Sequence, residues 1–274
     1  MVERVTITIK NDILKKLDRM IDKRNIKSRS HAVESLLLRA MSKTDINTAL
    51  ILAGGTGARL RPMTYEIPKP MITIHGRPIL EYQISMLRRY DIRNILLSVG
   101  SMHEKVKEYF GNGSKFGVNI TYLTEEKPMG TAYPLYLARD YIKDTFIAMN
   151  VDTLMNPDIY EILNFHKKQS TLATILLVLT ENPRGGVAAM KGNHITKFIE
   201  NPRTSGPSLI NAGFYILEPD VLNLVHNGKG LIEETLFPKL ARENQLSGFV
   251  HDGKIFDVGS NEGYEKAIKE WGSI

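Results

Sequence analysis

Residues 48–53 read Thr-Ala-Leu-Ile-Leu-Ala, an apolar run of strand length that passes directly into Gly54-Gly55-Thr56-Gly57. A run without polar alternation suits a strand covered on both faces, the habit of parallel sheets. Glycines at its carboxyl end let the backbone approach a phosphate chain, with successive amides pointing inward. Beyond this point strand and helix patterns alternate. Residues 79–90, 104–110, 131–140 and 158–168 have helical period, the first with Pro78 at its opening turn. Residues 94–99, 120–123, 145–149 and 171–179 read as strands. Repeated β-α-β units predict an α/β fold with a Rossmann-like, mixed and mostly parallel sheet. Ligands in such sheets bind beyond the carboxyl ends of the strands.

Composition removes several alternatives. The chain of 274 residues is 42% apolar and 24% charged, as soluble globular chains are, which excludes disordered, collagen-like and rod-like chains. The longest apolar runs, residues 49–53 and 173–179, fall far short of the roughly 20 residues that span a bilayer. The N-terminus alternates apolar and polar residues and has no signal-peptide core. There is no cysteine, hence no disulfide framework, thiol nucleophile or thiolate zinc site. A cytoplasmic protein without a membrane partner is expected.

The charge is segregated. Residues 1–44 hold eleven basic and five acidic residues, and the rest of the chain holds twenty-five of each. The whole net charge of +6 therefore belongs to one short segment. Such asymmetry suits a module that meets a polyanion, and equally a solvated basic face. Two domains are expected, residues 1–44 and 45–274, with residues 43–47 as a short linker.

In the first domain Val5, Ile7 and Ile9 alternate with Arg4, Thr6, Thr8 and Lys10, a strand with one apolar face. Asn11 or Asp12 is placed to cap a first helix with apolar positions Ile13, Leu17, Met20 and Ile21. Ser28 or Ser30 is placed to cap a second, with Val33, Leu36, Leu37 and Ala40. About 45 residues of this kind cannot bury a core alone and usually fold as an oligomer. Pairing the strand with its copy from a second chain would also satisfy its open edge.

Residues 3–43 resemble the ribbon-helix-helix DNA-binding family. The resemblance implies a homodimer, or a dimer of dimers, whose two-stranded ribbon enters the major groove of double-stranded DNA. Carried over by position, Arg4, Thr6, Thr8 and Lys10 would read bases. The amides near Ser28 to Ser30 would hold phosphate, as helix N-termini do. A ribbon kept only as a dimerisation clasp is the other reading.

The glycine-rich turn continues through Ala58-Arg59-Leu60-Arg61-Pro62-Met63-Thr64 to Pro68-Lys69-Pro70. Arg59 and Lys69 supply countercharge and donors suited to phosphoryl oxygens. No Gly-Lys-Ser/Thr closes the loop, and G-x-G-x-x-G is absent, so neither a Walker A loop nor a dinucleotide fingerprint is present. The string resembles L-A-G-G-x-G-T-R-L-x-P-x-T followed by P-K-P, the signature of the sugar-1-phosphate nucleotidyltransferases. Further landmarks follow in that family's order. Glu126-Lys127-Pro128-Met129-Gly130-Thr131-Ala132 resembles E-x-P-x-G-T-A, and Asn150-Val151-Asp152 stands for N-G-D. Glu200-Asn201-Pro202 stands for E-K-P, Asn211-Ala212-Gly213 for N-A-G, and Phe256-Asp257-Val258-Gly259 for W-x-D-x-G. The resemblance covers nearly all of residues 48–270.

What this resemblance implies is a Mg²⁺-dependent transfer of a nucleotidyl group from a nucleoside triphosphate to a sugar 1-phosphate, releasing pyrophosphate. By carry-over, Leu52, Ala53, Gly54, Gly55 and Gly57 would hold the triphosphate and the edge of the base. Glu126 and Gly130 would lie near the nucleoside. Arg59 would stabilise the departing pyrophosphate and Lys69 the reacting phosphoryl groups. Asp152 and Asp257 would hold Mg²⁺, and Glu200 and Asn211 would bind the sugar. Three positions depart from the pattern. Ala58 replaces Thr, Val151 replaces Gly, and Asn201 replaces a Lys for which Lys197 lies near enough in sequence to substitute. The alternative reading is a transcription regulator that uses a weakly active or inactive transferase domain as a sugar-nucleotide sensor.

Overall fold

The spacing of Leu17 and Ala32 dictates how the N-terminal helices meet. Helix α1 (Asn11–Arg19) and helix α2 (Arg29–Met41) turn these two residues inward, and both are buried. The Arg29 guanidinium donates to both Asp18 carboxylate oxygens, at 2.6 and 2.9 Å, and ties one helix to the other. Ser28 caps α2, its hydroxyl accepting from the His31 amide at 3.2 Å. Neither Asn11 nor Asp12 caps α1, because the helix already begins at Asn11 and its N-cap is Lys10.

This computed structural model describes residues 5–21, 27–41, 46–203 and 205–272, and the chain divides into the units Met1–Lys43 and Thr44–Ile274. Residues 5–10 form no strand. A strand exists only as a member of a ladder, and the expected ladder lies between two copies of the chain. Val5 and Ile7 are accordingly 76% and 55% exposed. Arg4 lies outside the described residues.

In the larger unit β1 (Thr48–Ala53) is buried at every position after its first, as its apolar run requires. A short antiparallel pair, β2 (Thr73–Ile74) with β3 (Arg77–Pro78), leads into α3 (Ile79–Arg89). Then follow β4 (Asn94–Val99), α4 (His103–Phe110), β5 (Asn119–Thr124), α5 (Ala132–Ala138), β6 (Phe146–Asn150), β7 (Thr153–Met155) and α6 (Ile159–Gln169). The second half contributes β8 (Ala173–Thr180), β9 (Val187–Lys191), β10 (His194–Ile199), β11 (Ser208–Leu217), α7 (Leu236–Arg242), β12 (Leu246–Val250), β13 (Ile255–Asp257) and α8 (Asn261–Glu270).

Nine of these strands form one sheet, in the order β5-β4-β1-β6-β11-β8-β12-β10-β9. The strands β5, β4, β1 and β6 are parallel, as the β-α-β pattern predicts. The expectation of a mostly parallel sheet fails beyond β6. There β11 runs antiparallel to both β6 and β8, and β10 to β9 and β12, leaving only β8 and β12 parallel. Local connection explains part of the change. Only Gly192 and Asn193 separate β9 from β10, and a two-residue loop joins antiparallel neighbours alone.

Both faces of the sheet are covered. Ala49, Ile51 and Ala53 of β1 pack in one cluster with residues of α3, α4 and α6. Leu50 and Leu52 pack in the other with residues of α5 and α7. Among the described residues no helix is long and apolar enough to cross a membrane.

One buried polar cluster pins α6 to the sheet. His166 is 2% exposed, with Nδ1 2.7 Å from the Thr174 hydroxyl and Nε2 2.9 Å from a Glu218 carboxylate oxygen. Burial pulls the imidazole pKa below its ordinary 6.5, against the upward pull of Glu218. The folded state therefore takes up this proton less readily than the unfolded chain. The corresponding stability is whole above pH 6.5 and is lost as pH falls toward the lower folded value. The thermal unfolding midpoint should fall from about pH 7 to about pH 5, and a His166→Gln variant should show a flatter dependence over the same range. Equal slopes for the two proteins would remove His166 as the source.

Candidate active site

Two cavities open at the carboxyl ends of β1 and β6. The first, of about 260 Å³, takes Leu52, Gly54 and Gly55 from the end of β1 and Asn150 to Asp152 from the end of β6. Gly130, Glu125 and Lys69 also line it. The second, of about 870 Å³, takes Arg59, Asp257, Glu200 and Asn211. Asn150 and Asp152 line both, so the two cavities meet at these residues.

Asp152 is the electrostatic centre of this junction. It forms a short ion pair with Lys69, and the two side chains are 13% and 14% exposed. Arg59 Nη2 lies 3.5 Å from Asp152, and Arg59 Nη1 lies 3.3 Å from Asp257. Burial alone would raise the Asp152 carboxyl pKa. The Lys69 ammonium and then the Arg59 guanidinium outweigh it and hold that pKa below the usual carboxylate value. Asp257 reaches the junction through a three-residue ladder. Strand β13 pairs antiparallel with β7, which sets Asp257 opposite Thr153. The Val258 amide then donates to the Asp152 carbonyl at 2.8 Å, and the Gly259 amide to Asp257 Oδ1 at 2.9 Å.

The two carboxylates are hard oxygen donors that share one guanidinium, a donor set that fits a hard octahedral cation. Among the described residues no group of three His, Cys, Asp or Glu forms a protein cage. The remaining positions of such a cation would fall to substrate oxygens and water.

Beside the second cavity β11 carries an irregularity between Asn211 and Tyr215. Bulges of this kind re-aim side chains. Asn211 Nδ2 donates to the Tyr215 hydroxyl at 2.9 Å, and that hydroxyl donates to Glu233 at 3.4 Å. The Thr131 hydroxyl donates to the other Glu233 oxygen at 2.6 Å. Nearby, Glu200 Oε2 is buried without a hydrogen-bond partner. Burial first, then the Glu233 and Glu234 charges, push the Glu200 carboxyl up to about 7. A hydroxyl group of a ligand would supply the donor that Glu200 Oε2 lacks.

The structure thus brings together most of the residues expected from the sequence. Others stand apart. Ala53 lines neither large cavity but a small hollow beside Gly100, which shares Gly55 and Lys69 with the first cavity. Gly57 lines neither large cavity, and its carbonyl accepts from the Thr64 hydroxyl at 2.8 Å, which shapes the loop. Glu126 is exposed and lines neither cavity, whereas its neighbour Glu125 is buried and lines the first. The reason is register: the Glu125 amide donates to the Val99 carbonyl at 2.8 Å, carrying the β5 ladder one residue further and turning Glu125 inward. Lys197 is exposed on β10 and lines neither cavity. Asn201 lines the second cavity, but its side chain accepts from the Gly185 amide at 3.2 Å. Sequence reasoning missed Glu125, Glu233 and Tyr215. The first sits in an ambiguous Glu-Glu pair, the second in a segment without helical or strand period. In the smaller unit Thr6, Thr8, Lys10, Ser28 and Ser30 are exposed.

Gly130 can be tested without any ligand. Its φ is +88°, and a Cβ there would collide with the Gly230 carbonyl. Gly130→Ala should lower unfolding free energy by about 1–3 kcal/mol in denaturant titrations. An unchanged midpoint would show that this turn gives way without cost.

Residues 48–273 match the family model described as nucleotidyl transferase. The chain is 37% identical over 218 residues to mannose-1-phosphate guanyltransferase of Saccharomyces cerevisiae, covering 77% of this chain and 60% of that protein. It is 34% identical over 229 residues to probable mannose-1-phosphate guanylyltransferase 1 of Oryza sativa subsp. japonica, covering 81% and 63%. The chain therefore spans less than two thirds of these relatives' length. Among solved structures, a putative glucose-1-phosphate thymidylyltransferase of Bacillus anthracis superposes with a TM-score of 0.77 at 26% identity, covering 83% of this chain and 96% of that one. HddC of Yersinia pseudotuberculosis complexed with GMP-PN gives 0.71 at 25% identity, covering 82% and 100%. On the match across residues 48–273, the chain belongs to the nucleotidyl transferase family.

Proposed function

We propose that the larger unit joins a nucleoside triphosphate to a sugar 1-phosphate, giving a nucleotide sugar and pyrophosphate. The observation that carries this reading is the meeting of two cavities at Asp152, with Lys69 and Arg59 beside it. Such a transfer requires two mutually repelling anions to be aligned and their charge neutralised. An oxygen of the sugar phosphate attacks the α-phosphorus, a new P–O bond forms, and the α–β bond breaks as pyrophosphate leaves. The backbone at Gly54 and Gly55 holds the triphosphate. Lys69 neutralises the reacting phosphoryl oxygens, and Arg59 follows the departing pyrophosphate. Asp152 and Asp257 hold Mg²⁺, which when bound screens phosphoryl charge. Glu200 and Asn211, supported by Tyr215 and Glu233, take the sugar hydroxyls. The relatives' names favour GTP and mannose 1-phosphate as substrates.

Pyrophosphate release from GTP and mannose 1-phosphate with Mg²⁺ tests the reading. Asp152→Asn should lower kcat by at least about a hundredfold while the protein stays folded. Nucleotide binding without turnover, across a panel of triphosphates and sugar phosphates, would replace the enzyme with a sensor.

For the smaller unit we propose a ribbon-helix-helix dimer that binds double-stranded DNA. Its support is the +6 charge confined to residues 1–44, with Thr6, Thr8 and Lys10 exposed beside the uncovered apolar side chains of Val5 and Ile7. Affinity for an operator selected from random DNA should fall steeply with salt. Replacing Thr6 and Thr8 by Ala should cost specificity more than non-specific affinity. A dimer that selects no DNA sequence would leave only the clasp.

A further inference from the structure

Gln83 stands on the buried face of α3. Its helical neighbours Ile79, Leu80, Ile84, Met86 and Leu87 are buried and apolar, and Gln83 is 3% exposed among them. Its amide nitrogen donates to two backbone carbonyls, that of Asn150 at 2.8 Å and that of Thr153 at 3.0 Å. These carbonyls flank Val151 and Asp152, which form the turn between β6 and β7. The amide oxygen is buried and meets no donor among the described residues. Turning the amide over would aim that oxygen at two carbonyl oxygens, so chemistry fixes its orientation. A buried polar atom without a partner costs stability, and an apolar side chain of the same length would avoid that cost. Packing alone therefore does not explain a glutamine at this position, whereas its two N–H groups do.

The same stretch of chain grips Asp152 twice. Lys69 precedes α3 and pairs with the Asp152 side chain. The Ile79 amide donates to the Ile72 carbonyl at 2.9 Å, which ties the segment after Lys69 to the start of α3. Gln83 then holds the backbone on both sides of Asp152. The Val151 amide donates to the Leu52 carbonyl at 3.2 Å, and the Val258 amide to the Asp152 carbonyl at 2.8 Å. The turn is thus fastened to β1, to α3 and to the residue after β13. At the end of α3 the Tyr90 hydroxyl donates to the Pro157 carbonyl at 3.1 Å, outside the turn.

We infer that Gln83 is a positioning residue for nucleotidyl transfer, clasping the turn of residues 150–153 so that the Asp152 carboxylate stays in register with Lys69 and Arg59. The inference rests on the transfer reading. A displacement of about 1 Å at reacting groups can cost about a hundredfold in rate. Gln83 lines neither large cavity, so its loss falls on turnover and spares binding.

Gln83→Met keeps the length of the side chain and removes both donors. In the full-length protein kcat for pyrophosphate release from GTP and mannose 1-phosphate should fall about ten- to a hundredfold, with both KM values within about threefold of wild type. Tyr90→Phe removes a bond from the same helix outside the turn and should keep kcat within about twofold. Hydrogen exchange reads the clasp without turnover. In Gln83→Met the amides of Val151 and Val258 should exchange at least about tenfold faster, while those of β4 keep their wild-type rates. A folded Gln83→Met protein with wild-type kcat overturns the inference. So do unchanged rates at Val151 and Val258. An equal loss of kcat in Tyr90→Phe also overturns it, because the effect would then be one of seating α3. The wild-type protein supplies an arm that needs no variant. Both side-chain amide protons of Gln83 should exchange at least about a hundredfold more slowly than those of an exposed glutamine. Rapid exchange of either proton removes the clasp even if Gln83→Met does not fold. A wild-type protein that turns over no substrate removes the transfer reading instead, and the exchange rates still judge the clasp.

Discussion

The ion pair between Asp152 and Lys69 fixes the rest of the site. It is nearly closed to solvent and lies where the first cavity ends and the second begins. A carboxylate there could not stay charged alone, because burial opposes ionisation. Two cations drawn from the loops after β1 keep it ionised. A second carboxylate, from the far end of the chain, then shares one of them. Two cations and two carboxylates thereby meet at the junction, and Glu200 and Glu233 add further carboxylates to the lining of the second cavity.

The sheet explains why so few residues suffice. Strands β1 and β6 are neighbours and parallel, so their carboxyl ends fall side by side. The Val151 amide donates to the Leu52 carbonyl at 3.2 Å and extends that pairing into the loops. Val151 is buried there and carries no charge or hydrogen-bonding side chain, so Asp152 is left as the acidic group at the strand end. The site is thus a property of two strand ends, and the loops add cations to a geometry that the ladder already holds.

Much of this was legible in the sequence, for identifiable reasons. The parallel half of the sheet was plain because β1, β4 and β6 are mostly apolar runs and the helices between the strands have a clear period. The second half was less legible. Strands β9 and β10 are short and half exposed, and their pairing follows from a two-residue turn that no periodicity predicts. Asp152 and Asp257 were readable because they stand in short motifs at strand ends. The choice between Glu125 and Glu126 was not, because it depends on whether the β5 ladder continues one residue past Thr124. Glu233 and Tyr215 were hidden for a different reason. Their hydrogen bonds join Glu233 to Thr131 and to Tyr215 across elements, and Tyr215 to Asn211 across the irregularity in β11, none of which sequence spacing displays.

The ladder that delivers Asp257 ties together distant parts of the chain. Arg59, Lys69 and Asp152 stand on the loops that follow β1 and β6, whereas Asp257 stands on β13, more than a hundred residues later. The pairing of β13 with β7 is three residues long. On that short pairing rests the balance of the cluster, two cations against two carboxylates.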